Sequence, residues 1–212
     1  MSNTPELVAQ YLRQAILRGE LRSQQPVRQD KVAEALGVSK VPVREALAQL
    51  KVEGLVSYRT NRGAFVTGLM PAEAREIYLM RMALETMALE HAIPNLTKAH
   101  LARAQSALMV IDVEEDSAMW SELNWEFHAA IYQQAQMPHL LSMIEMLHVN
   151  VARYLVLYLD RMQFQTKSQV EHYELLAACQ QGDVQTAVSI LKQHLQDAST
   201  ALETFLTDSQ PK

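Results

Sequence analysis

The run DKVAEALGVSKVPVREALAQLKVEGL, Asp30 to Leu55, decides the fold of the first third of this chain. It predicts two short helices joined by a tight turn. In the first, Val32, Ala33 and Leu36 make an apolar stripe at helical spacing, and Gly37 breaks it. Ser39 is an N-cap residue type whose hydroxyl can accept a hydrogen bond from a first-turn amide. Pro42 is tolerated there, because first-turn amides have no partner within the helix. Val43, Ala46, Leu47 and Leu50 recur on one face, and Gly54 supplies the stop. On the outer face Lys40 and Arg44 stack four residues apart, with Lys51 seven beyond Arg44. A helix with an apolar inner face and a basic outer one, following a tight turn, is a helix-turn-helix arrangement. Its second helix enters the DNA major groove. A solvated charged face on an ordinary helical hairpin has the same spacing, so the following residues must decide.

They read as a hairpin. Leu55 to Arg59 and Ala64 to Thr67 make two short strands, with Tyr58, Phe65 and Val66 as strand formers. Asn61-Arg62-Gly63 offers turn chemistry between them. A hairpin directly after a recognition helix makes a winged helix, and Arg59 and Arg62 place charge on the wing, where arginines reach phosphates or a minor groove. Upstream, Leu7, Val8, Tyr11, Leu12, Ala15 and Ile16 keep the helical period up to Gly19, and Ser23 to Val27, with Pro26, reads as a loop leading to Arg28.

VSKVPVREALAQLKVEGLV followed by NRGAFV closely resembles the winged-helix signature of the GntR family of bacterial transcription regulators. The resemblance spans about Leu7 to Val66 and is carried by Pro42-Val43-Arg44-Glu45-Ala46-Leu47 with Gly54-Leu55-Val56. It implies that Arg28, Lys40, Arg44 and the wing pair Arg62-Gly63 contact DNA. Lys40 departs from the arginine usual in the family. A lysine can hold a phosphate but cannot make the bidentate fork to a guanine.

The whole chain has 212 residues, 49% hydrophobic and 20% charged, which is the composition of a packed globular protein. Its single cysteine, Cys179, excludes an internal disulfide and fits a reducing cytoplasm. No signal-peptide core and no run of ~20 apolar residues is present, so neither export nor a membrane span is expected. The net charge of −5 is unevenly divided. Residues 1–70 carry 10 Lys and Arg against 6 Asp and Glu, or +4, and the remainder carries 9 against 18, or −9. Only the first part is suited to meet phosphates.

Pro71 suits the first turn of a helix, so the domain boundary is placed there, with domains 1–70 and 71–212. Beyond it the pattern is helical throughout. Predicted helices run from Ala72 to Ile93, Lys98 to Val113, the acidic stretch after Glu114 to Ala135, Pro138 to Met162, Ser168 to Gln181, and Asp183 to Leu206. The expected fold is thus mainly α: a winged helix-turn-helix of three helices and a hairpin, then a six-helix antiparallel bundle.

Within the bundle, Asn124 and His128 are four apart on one helix, His172 lies early in the fifth and His194 midway along the sixth. Three histidines on three helices can converge, and imidazole is a common ligand of zinc and nickel; three unrelated structural histidines would give the same spacing. WEFHAAIYQQAQMPHL and EHYELLAACQQGDVQTAVSILKQHL resemble the ligand-binding FCD domain of the FadR-type branch, and six helices are similar to its VanR-like subgroup. That resemblance implies a divalent metal (zinc, nickel or manganese) on Asn124, His128, His172 and His194, with asparagine where the family has aspartate. It also implies an arginine near the pocket at Arg81, and Arg153 is a further candidate contact for an effector. His91, His100, His139 and His148 read as structural.

The function expected is that of a cytoplasmic homodimeric transcription regulator, a repressor, bound to a palindromic double-stranded operator and controlled by a small carboxylate held through the metal. A metal-free site, with the histidines binding the carboxylate directly, is equally open, and so are two other readings. In one the ion itself is the signal, although Asn124 brings no charge. In the other, three histidines and an open position make a metal-dependent hydrolase, although Glu126 should point away from His128 and no general base is placed.

Overall fold

The computed structural model describes residues 4–162 and 164–208, apart from the side chains at 118, 153 and 155–164. The chain divides into two compact units, Met1–Leu69 and Met70–Lys212.

In the first unit, α1 (Thr4–Leu17) packs on α3 (Lys40–Val52), with α2 (Gln29–Leu36) between them in sequence. The core is the predicted one: Val8, Leu12 and Ile16 from α1 meet Val43, Leu47 and Leu50 from α3, all essentially inaccessible to water. Each such side chain is worth roughly 1.5–3 kcal/mol of burial. Arg13 on α1 clamps the far end of α3: its Nε and Nη2 donate to the two carboxylate oxygens of Glu53 at 2.9 and 2.6 Å. Gly37 ends α2 at φ +63°, a left-handed conformation that glycine adopts without strain. Ser39 is the N-cap of α3 by backbone conformation, but its hydroxyl makes no cap hydrogen bond, unlike the reading from residue type.

The wing is β2 (Val56–Arg59) paired antiparallel with β3 (Gly63–Val66), in the register Arg59 opposite Gly63. Within Ser23 to Val27, where a loop is expected, Pro26–Val27 instead form a short strand, β1, on the other edge of β3. A proline is tolerated there because an edge strand need not donate on both sides.

Among the described residues the regular structure of the second unit is all helical. Its helices are α4 (Pro71–Ala92), α5 (Lys98–Ile111), α6 (Ser117–Tyr132), α7 (Pro138–Met162), α8 (Phe164–Gln181) and α9 (Val184–Asp208). The six run closely as read, except that α8 begins at Phe164 rather than Ser168. Thr97 caps α5 and Asp183 caps α9, where Asp183 Oδ1 accepts from the Thr186 amide at 3.0 Å. The helix α4 packs on α9, α7 and α6, while α8 packs on α9 and α5. The interior therefore receives side chains from α4, α6, α8 and α9 together. Among the described residues no helix is long and apolar enough to cross a membrane.

Candidate nucleic-acid interface and metal centre

Two groups of side chains stand apart from simple packing, one in each unit. In the first unit, Arg28, Lys40, Arg62 and Gly63 line one open concavity, together with Asp30 and Phe65. Position 28 precedes α2, position 40 starts α3, and positions 62 and 63 turn the wing; the β1–β3 pairing draws the first and last together. Arg28, Lys40, Arg44, Lys51 and Arg62 are all exposed. Lys40 is paired with the carboxylate of Asp30, itself exposed. Arg44 stands one turn beyond Lys40 on the same face of α3, and Lys51 lies with its Nζ 5.8 Å from the Tyr58 ring centre. Arg59 is different: its guanidinium lies 4.2 Å from the Phe65 ring centre and donates to Gln24 Oε1, so it folds back on the wing.

In the second unit His128 (α6), His172 (α8) and His194 (α9) converge. Each offers a ring nitrogen, and the three nitrogens lie within 4.8 Å of one another in a buried setting. The ring centres are 4.8 to 5.5 Å apart. The hydrogen bonds around them set their tautomers. His194 Nδ1 bonds to Glu171 Oε2 at 2.8 Å, so it carries the proton. His172 Nδ1 donates to Gln169 Oε1 at 3.2 Å, and Gln169 is held in turn by donating to Asp112 Oδ1 at 2.8 Å and to the Leu108 carbonyl. The Tyr132 hydroxyl donates to Glu85 Oε2 at 2.8 Å, which leaves its oxygen to accept from His128 Nδ1 at 3.1 Å. With every Nδ1 donating in a hydrogen bond, each Nε2 keeps a lone pair for a shared partner. The only neighbour of these three nitrogens among the described hydrogen bonds is Ser168 Oγ, 3.4 Å from His172 Nε2.

Burial keeps His128 and His172 neutral. It pushes His128 well below the ordinary histidine range, with His172, His194 and Arg81 adding to the effect. His172 is likewise pushed well down, by burial first and then by His194. Neutral imidazole is the form that binds a metal. Three imidazole lone pairs within reach of one another, with the other nitrogens anchored, are a donor set that fits zinc or nickel; manganese prefers more oxygen. Asn124 is buried (6% exposed) one turn before His128 on α6.

Beside this cluster runs a buried polar chain. Arg81 Nε donates to Glu85 Oε1 at 2.6 Å, and the guanidinium carbon lies 4.9 Å from the Tyr78 ring centre. Burial opposes the arginine's charge, but Glu85, Tyr78 and Tyr132 together outweigh it and raise its pKa. Glu85 is 0% exposed, so the pair is an interior one and not a surface ion pair. Burial, then Glu85, raises Tyr132 well above the ordinary tyrosine range. The side chain of Arg153 lies outside the described residues.

Several residues of this site went unread in the sequence. Glu171, Gln169 and Tyr132 anchor the histidines; Tyr132 follows His128 by four and Glu85 follows Arg81 by four, a helical spacing that marks both pairs. His148, read as structural, is buried and stacks on Trp125 with ring centres 4.5 Å apart. Its Nδ1 has no hydrogen-bond partner among the described residues. Glu126 is exposed on α6, away from His128.

A winged helix with an exposed basic face, joined to a six-helix domain enclosing a histidine cluster, is the class of molecule these two units define. Residues 4–66 match the bacterial regulatory proteins of the gntR family, and residues 76–197 match the FCD domain. The chain belongs to the GntR family, in its FadR-type branch with an FCD domain. It is similar to the HTH-type transcriptional regulator McbR of Escherichia coli, 33% identical over 151 residues, 69% of this chain and 68% of that protein. An HTH-type transcriptional repressor of the same organism, GlaR, is 29% identical over 87% of this chain and 89% of its own. An uncharacterized HTH-type transcriptional regulator of Mycobacterium tuberculosis is 31% identical over 63% of this chain, which spans only 54% of that relative's length. In three dimensions the solved structure of E. coli McbR/YncC matches with a TM-score of 0.85 at 27% identity, over 97% of this chain and 99% of that one. These relatives are named as transcription regulators, not enzymes.

Proposed function

We propose that this chain binds a palindromic operator as a homodimer and represses transcription until a small carboxylate reaches the helical domain. Membership of the GntR family supports DNA binding. In this reading Lys40, Arg44 and Lys51 on α3 enter a major groove, Arg28 and Arg62-Gly63 follow the backbone beside it, and Arg59 stiffens the wing against Phe65. The repressor sign takes its support from the likeness to GlaR, a transcriptional repressor of E. coli. Dimerisation takes its support from α4, whose Leu79, Met80 and Met87 are exposed while its opposite face fills the core.

The single observation that carries the sensing role is the buried cluster of His128, His172 and His194, with its second nitrogens anchored. With the Asn124 amide oxygen as a further donor, it would hold one divalent ion, zinc or nickel. Such an ion supplies a positive centre and an open position at which a carboxylate can bind. Arg81 stands close enough through Glu85 and Tyr132 to bias the same centre. Effector binding then acts by preferring one of two geometries of the dimer, by no more than its differential affinity for them.

A second reading has one observation of its own. Glu85 already occupies Arg81, so that guanidinium does not wait for a carboxylate, and the ion alone would be the signal. One experiment separates the two. DNA is selected by the full chain from a random duplex pool, and its affinity is measured with zinc alone and with zinc plus a panel of small carboxylates. Release only with a carboxylate supports the metabolite reading; release by zinc alone supports the second. Enrichment of no palindromic duplex would defeat both.

A further inference from the structure

Among the described residues, the donors proposed for the centre carry no negative charge: three imidazoles and the amide of Asn124. A dication held by these alone would keep its full charge in a buried site, where uncompensated charge is expensive. Until an anionic effector binds, compensation comes from the next layer, and three carboxylates reach it. Asp112 meets His172 only through the Gln169 side chain. Glu85 meets His128 only through the Tyr132 hydroxyl, and its charge is balanced by Arg81 2.6 Å away. Glu171 is placed otherwise. Its Oε2 contacts His194 Nδ1 directly at 2.8 Å, and the carboxylate is largely buried. Its other oxygen lies 3.7 Å from Lys167, but that ammonium is 58% exposed and is shared with Asp197. A cation so exposed is screened by water and offsets little.

We propose that Glu171 is the positioning residue that supplies the missing negative charge to the centre, through His194. The inference rests on the metal reading above. Glu171 turns the His194 ring, holds its proton on Nδ1 and makes its Nε2 a stronger donor, so that the site retains a divalent ion with an asparagine at position 124.

The test is zinc affinity of the full chain, measured by competition with a chelating dye. The variants are Glu171→Gln, Asn124→Asp and the double variant. Glutamine keeps the shape and an oxygen acceptor and removes the charge, so zinc affinity should fall about 10- to 100-fold. The thermal midpoint of the metal-free protein, which a purely structural role would move, should stay in place. Asn124→Asp should tighten binding more in the Glu171→Gln background than in the wild type, because one carboxylate then replaces the other. Wild-type affinity in Glu171→Gln, or equal gains from Asn124→Asp in both backgrounds, overturns the proposal while leaving the metal reading intact. A wild type that takes up no zinc overturns the metal reading, and this inference with it.

Discussion

At the scale of single residues, His148 is a buried histidine whose Nδ1 has no hydrogen-bond partner among the described residues. Burial, and then Arg81, pushes it well below the ordinary histidine value of 6.5. Its folded form therefore stays neutral while the unfolded chain takes a proton below about pH 6.5. The unfolded state binds more protons, so stability falls as pH is lowered through that region, by up to about 1.4 kcal/mol per pH unit for this one group. His148→Phe keeps a ring against Trp125 and removes the titration. In metal-free protein its denaturation midpoint between pH 7 and pH 5 should fall less steeply than that of the wild type, where His128 and His172 also contribute; parallel slopes would exclude a contribution from His148. Because the variant also removes a buried nitrogen without a partner, it should cost little stability at pH 7. A second residue, Asp30, faces the other way. Its carboxylate neutralises Lys40 in the proposed DNA concavity and would repel phosphates. Asp30→Asn should tighten binding to duplexes of arbitrary sequence and steepen its salt dependence, measured by fluorescence anisotropy; weaker binding would show that Asp30 is a DNA contact.

Among the elements, α3 bears the proposed reading of DNA. Arg44→Ala should weaken binding to a selected duplex by about 1–3 kcal/mol if the guanidinium reads a base. Because Arg44 is exposed and absent from the core, the thermal midpoint should change little. Unchanged affinity would remove α3 from the groove. The elements also show what was legible. Periodic apolar residues identified α1, α3 and the six later helices because each buries one continuous stripe, as Val43, Leu47 and Leu50 do. The strand β1 had no such mark: two residues, one of them proline, show no alternation, and only the open edge of β3 makes them a strand. Likewise Ser39 has the right residue type for a cap, yet its hydroxyl does not turn to the helix. In the site, the i,i+4 pairs Arg81–Glu85 and His128–Tyr132 were within reach of spacing. The joining of the two pairs through Tyr132 and Glu85, 47 positions apart, and of Glu171 to His194, 23 apart, depends on helix packing that no local pattern encodes.

For the whole molecule, the charge division follows the two units: the basic excess lies in the first and the acidic excess in the second. The proposed homodimer should depend on the outer stripe of α4. Met87→Glu places a carboxylate among Leu79 and Met80. It should shift the sedimenting species from dimer towards monomer and weaken binding to a palindromic duplex more than to a half-site. A dimer unchanged by this substitution would place the interface elsewhere. The most direct test of the account is elemental analysis of untagged protein purified without chelator, beside the His128→Ala/His172→Ala variant. With a metal on the three histidines, about one zinc or nickel per chain is expected in the wild type and almost none in the variant. No metal in the wild type, even after dialysis against zinc, would contradict it, and the three histidines would then be direct contacts to an organic ligand.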